Sequence, residues 1–146
     1  MSLWEAVVQV ISAFVGVLAV AIVFQVPKNR LVLTGLTGAG GWTVYLIGMK
    51  VSGNAVFASF LAAFAVAIMS QIFARISKAP VTIYLVTGIL PLVPGVGMYR
   101  TVYYLLQNDT AQTSYYLSYT LQVAGMIALG IFVVDSFFRI LYRKKH

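Results

Sequence analysis

Few side chains in this 146-residue chain can do chemistry, and they gather in two places. The first is the run Pro91-Leu-Val-Pro-Gly-Val-Gly-Met-Tyr-Arg100, inside an otherwise membrane-length apolar stretch. Pro91 and Pro94 remove backbone donors and clash with a continuing helix, and each pushes its predecessor, Leu90 or Val93, out of helical geometry. Pro94 suits the first position of a restarting helix. Gly95 and Gly97 would leave that first turn bare, so its amides and positive dipole end could receive an anion such as a carboxylate. Arg100 follows about 9 Å beyond the break, and its guanidinium can clamp a carboxylate in bidentate fashion. Thr87 and Gly88 are placed on the other half of the break. Gly97, Arg100, Thr101, Tyr104 and Gln107/Asn108 recur at helical spacing as one polar stripe. The candidate substrate-binding residues are therefore Thr87, Pro94, Gly95, Gly97, Arg100 and Tyr104. The second place is Asp135, an acid within an apolar span and a functional candidate on that ground. It is assigned to proton coupling.

Each feature has a plainer reading that stays open at this point. A proline kink can serve packing alone. Arg100 can snorkel to headgroups or pair with an acid of a partner. Asp135 can pair with Arg139 one turn on. Tyr99, Tyr103, Tyr104, Tyr115, Tyr116 and Tyr119 fit an interfacial aromatic belt.

The elements that must position these residues follow from composition. The chain is 61% hydrophobic and 9% charged, against roughly 25% charged in a soluble domain. An all-α integral membrane protein of one domain, residues 1–146, is expected. Cysteine is absent, which excludes disulfides and thiolate chemistry. Three acids and one histidine, His146 at the end of the chain, leave no plausible metal centre or hydrolytic triad. No catalytic residue, cofactor or metal is expected, and the chain is read as not an enzyme. The net charge of +7 lies at span ends instead of on one face, so anionic lipid is its counter-charge and no nucleic-acid partner is expected.

Five spans of about 20 apolar residues are expected over Leu3–Val26, Leu31–Met49, Gly53–Ile76, Val81–Leu106 and Ser118–Leu141. The first exceeds a secretory apolar region of roughly 7–15 residues and reads as a retained span. The second is the weakest, because Gly35, Gly38, Gly40 and Gly41 lower its helix propensity. A polar stretch, Gln107 to Ser114, separates the last pair. Five spans put Lys28, Arg30, Arg75, Lys78, Arg139, Arg143, Lys144 and Lys145 on one side. The positive-inside rule then sets the amino terminus outside and the carboxyl terminus in the cytoplasm. Ala55, Ser59, Ala62, Ala63 and Ala67, and the pair Ala124 and Ala128, give small faces for close helix approach. They serve packing within the bundle or docking of a second polypeptide. The fourth span is about 40 Å long as a continuous helix, with Pro94 at its midpoint.

The run Pro91 to Arg100, followed by Tyr103-Tyr-Leu-Leu-Gln-Asn-Asp109, resembles the threonine/serine exporter family. So does the joint Pro27-Lys-Asn-Arg30 leading into a glycine-rich span with Gly41-Trp42. The similarity covers nearly the whole chain and is to the compact five-span half of these exporters. The resemblance implies proton-motive export of small amino acids across a bacterial cell membrane, or of dicarboxylates in some two-subunit relatives. It also implies a larger membrane subunit carrying the other half as partner, with a homo-oligomer as a further option. The expected cargo is a small carboxylate-bearing molecule. The rival reading is a non-transporting scaffold or assembly subunit of a membrane complex.

Overall fold

The computed structural model describes residues 2–144, which are helical almost throughout. Lys145 and His146 lie outside the described residues. Six α-helices follow in order: α1 Leu3–Val23, α2 Leu31–Ser52, α3 Ala55–Ser77, α4 Val81–Ile89, α5 Gly95–Leu106 and α6 Thr110–Arg143. Four of them are long and apolar enough to cross a membrane. The α4 and α5 pair, bent by 50° at the break, passes the same test jointly and makes a fifth span if it is counted as one. The chain is therefore a multi-pass helical membrane protein.

Local chemistry sets the helix ends. Ser2 and Glu5 form a capping box at α1, while Asn54 caps α3 and Asp109 caps α6 through side-chain oxygens that accept backbone N–H groups. Asp109 starts α6 at Thr110, so the expected Gln107–Ser114 loop shrinks to the three residues before the helix. At the other end of the first span the helix stops at Val23, short of Val26. Gly53, at φ +67, closes α2 in the left-handed conformation and turns the chain into α3.

α3 is the centre of the bundle and packs on α2, α4 and α6, while α1 packs on α2 and touches α4 and the turn that follows it. Its buried face is built from Ala58, Ser59, Ala62, Ala63, Val66, Ala67 and Ser70. Small residues let backbones approach closely where lipid supplies no hydrophobic drive between helices. Gly130 of α6 crosses α3 so tightly that a β-carbon there would lie 3.0 Å from Phe60 O. The buried hydroxyls bond back to their own helices: Thr34 Oγ1 to Leu31 O at 2.6 Å, Ser70 Oγ to Val66 O at 2.7 Å.

The glycine-rich second span is one continuous helix. The glycines that lower its propensity form its contact faces, Gly38 against Val17 and Gly41 against Val66, so tertiary packing overrides propensity. Of the two small faces in the sequence, that of α3 packs inside the bundle. Ala124 and Ala128 of α6 are exposed, Ala128 in a cleft that α6 forms with α3 and α4.

α6 is about 51 Å long and α3 about 35 Å. The two run in the same direction and end together, where Arg75 of α3 lies between the rings of Phe138 and Tyr142 of α6. From the Gly130 crossing to the helix starts there are about 30 Å of α6 but only about 12 Å of α3. The first turns of α6 therefore run on beyond the start of α3. They carry α5, which packs closely on α6 alone. The bend at the prolines thus directs α5 away from the bundle and onto this projecting helix.

Candidate functional site

The break has a finer structure than the two prolines suggest. Leu90 keeps helical angles, φ −53 and ψ −41, because α4 tightens into a 3-10 turn over Leu90–Leu92 that accommodates Pro91. The chain leaves helical geometry at Val93, with φ −58 and ψ 128. Pro94 is the residue before α5 instead of its first helical residue, and it provides no side-chain cap. Gly95 N–H turns back to Val93 O at 2.8 Å, and Met98 N–H makes the first α-helical bond, to Pro94 O at 3.0 Å. Among the described residues, Val96 and Gly97 N–H, which lie between these, have no acceptor. They are the open donors of a helix start.

The two glycines of this turn differ. Gly95 is exposed and a β-carbon there would meet nothing within 4 Å. Gly97 is buried against α6, where a β-carbon would lie 2.4 Å from Thr120 Oγ1. That hydroxyl oxygen is buried and has no hydrogen-bond partner. It is a polar atom at the break that the sequence reading missed. Its only signal was a threonine at the level of the break in a mostly apolar helix.

The polar stripe of α5 forms the seam with α6. Thr101 Oγ1 donates to Gly97 O at 2.7 Å. Tyr104 stacks on Tyr116 with centroids 5.6 Å apart and planes within 4°. Arg100 reaches the edge of this seam. Its Nη1 donates to Tyr116 Oη at 3.1 Å, and its guanidinium stands 5.3 Å from the Tyr116 ring centroid. It is exposed, so most of its donors remain available. Thr87 is buried on the bundle side, and its hydroxyl donates to Ile83 O at 2.6 Å. The structure thus sets Gly97, beside Pro94 and Gly95, against Thr120 and sets Arg100 against Tyr116 one turn further on, and it directs Thr87 into the core instead.

Asp135 belongs to a different place. About 22 Å of α6 separate it from Thr120. Between them stands an apolar cluster of Ala62, Ala63, Val66, Leu92, Val123 and Ile127. Asp135 Oδ2 pairs with Arg139 Nε at 2.8 Å. It also lines a cleft of about 400 Å³ with Gln71 and apolar residues of α3, α4 and α6. Nearby, Arg75 donates to Gln71 O at 2.8 Å and to Gln71 Oε1 at 2.9 Å. Among the described residues no group of acids and histidines could hold a metal ion.

Comparison with known proteins decides the family. The family model described as "Threonine/Serine exporter, ThrE" matches residues 9–137. The chain belongs to the threonine/serine exporter family. A curated relative, the threonine/serine exporter of Corynebacterium glutamicum, is 28% identical over 123 residues. That match covers 84% of this chain but 25% of the relative, so the chain spans about a quarter of that exporter's length. No solved structure matches. The break and the Asp135 cleft both lie within the matched region.

Proposed function

We propose that the chain is the compact half of a proton-coupled secondary exporter for small amino acids of the threonine and serine class, or for related carboxylates. The carrying observation is the start of α5 at the break. Two backbone N–H groups without an acceptor among the described residues mark an uncapped positive helix end, and the exposed guanidinium of Arg100 follows one turn along the same helix. A carboxylate matches all three. Pro94 and Gly95 keep the turn bare, Gly97 brings α5 against Thr120, and Tyr104 holds the Tyr116 ring on which Arg100 rests. Asp135 is the residue assigned to proton coupling. Nothing in this arrangement calls for covalent catalysis, and the chain is read as a carrier instead of an enzyme.

A larger membrane polypeptide supplies the rest of the pathway. Family membership and the quarter-length match to the C. glutamicum exporter support this reading. By the distribution of Lys and Arg, the amino terminus faces outward and the end bearing Lys28, Arg30, Arg75, Lys78 and Arg139 faces the cytoplasm of a bacterial cell. The rival role as a non-transporting scaffold draws on one observation. Tyr104 and Arg100 on the polar face of α5 both contact Tyr116 of α6, as a packing seam requires.

The chain contains no cysteine, so a thiol introduced by Gly95→Cys reports on the break alone. L-threonine or succinate should slow its modification by a charged methanethiosulfonate in native membrane vesicles. Modification at one rate with and without either compound would favour the scaffold.

A further inference from the structure

We infer that the cleft between α3, α4 and α6 is a second cargo subsite, which takes a positively charged ammonium group with Asp135 as its counter-ion. The inference rests on the exporter reading and extends it, because the break receives the carboxylate and nothing there would hold the opposite charge.

The cleft exists because α4 and α6 both pack on α3 without packing closely on each other. Small residues, Ala67 of α3 and Ala128 of α6, leave space between them. Its volume of about 400 Å³ falls in the roughly 300–1,000 Å³ range of small-molecule sites. Val81, Leu85, Ile131 and Phe132 make the walls apolar, and Gln71 and Asp135 are the polar groups of the lining. Val81 is the first residue of α4, so the cleft occupies the basic half of the molecule, which the exporter reading turns towards the cytoplasm. Cargo bound for export would load from that side.

The state of Asp135 fits exchange better than a fixed structural pair. Its carboxylate is 43% exposed and its partner Arg139 is 80% exposed. An exposed i,i+4 pair contributes little to stability, so an incoming ammonium group can displace Arg139 readily. In the apolar cleft the replacement pair is better shielded from water than the one it replaces. Arg75, the other cation near the lining, is held by Gln71 O and Oε1 and by the rings of Phe138 and Tyr142. That engagement takes the Gln71 carbonyl and leaves its amide N–H groups to donate to oxygen atoms of the cargo.

The test uses Ala128→Cys in native membrane vesicles, with modification by a charged methanethiosulfonate as the readout. L-threonine and L-threoninamide, which both carry the ammonium group, should slow modification severalfold. N-acetyl-L-threonine, which lacks it, should not. Adding Asp135→Asn should abolish the protection, measured against that double variant's own unprotected rate. Protection by the N-acetyl compound, or protection that survives Asp135→Asn, would overturn the inference. A thiol that the charged reagent cannot reach would overturn it too, since the cleft would then be filled by lipid. Gly95→Cys run in parallel separates the failures. Protection at the break without protection in the cleft removes this subsite and leaves the exporter reading standing, whereas protection at neither position removes both.

Discussion

Gly97 of α5 lies against Thr120 of α6 with no room for a side chain. A β-carbon on Gly97 would sit 2.4 Å from Thr120 Oγ1. This contact sets how closely the restarted helix approaches α6, and it fixes the position of the open N–H groups at the break. Gly97→Ala should therefore strain the seam by about 1–3 kcal/mol and lower the thermal unfolding midpoint of the purified protein. Because the obstacle is one hydroxyl oxygen, adding Thr120→Ala should recover most of the loss. If the double variant is no more stable than Gly97→Ala alone, this contact does not govern the seam.

A matched pair of glycines tests the course of α6. A β-carbon on Gly130 would lie 3.0 Å from Phe60 O of the α3 backbone, whereas one on Gly125 would meet nothing within 4 Å. Gly130→Leu should prevent a stable, monodisperse preparation, because backbone cannot move aside as a flexible side chain can. Gly125→Leu should behave like the parent protein in size-exclusion chromatography. Equal behaviour of the two would place the helix crossing elsewhere.

The break was legible in the sequence because proline and glycine act through the local chain, which no neighbour has to supply. Even there the reading slipped at Leu90, since a 3-10 turn absorbed Pro91 and moved the departure to Val93. The stripe Gly97, Thr101 and Tyr104 was legible as a stripe. Periodicity reports that a face is small and polar, but a neighbouring helix and a wet path demand the same residues. The glycines of the second span misled for a related reason. Propensity counts their cost in an isolated helix and omits the contacts with Val17 and Val66 that they permit. The Asp135 cleft was not legible beyond its acid, because it arises from a gap between α4 and α6, which are remote in sequence.

Arg75 joins the ends of α3 and α6 through two aromatic rings and the Gln71 side chain. Arg75→Met keeps the apolar stem and removes the charge. It should loosen the end of α6, with a loss of about 0.5–2 kcal/mol, read as faster hydrogen exchange over residues 138–142. Asp135→Asn should leave the same segment unchanged, since an exposed pair of this kind contributes no more than about 1 kcal/mol. Exchange that accelerates in Asp135→Asn and not in Arg75→Met would reverse the roles given to these residues.

The central claim is that the start of α5 and Arg100 together receive the cargo's carboxylate. Its most direct test is the transport of L-threonine into inside-out vesicles by Arg100→Lys, with the amount of inserted protein matched to the parent. Lysine keeps the positive charge but loses the planar fork, and the loss of one good contact of about 1.4 kcal/mol corresponds to tenfold. The account predicts a drop in transport of about tenfold or more with normal insertion. Transport at the parent rate would contradict it.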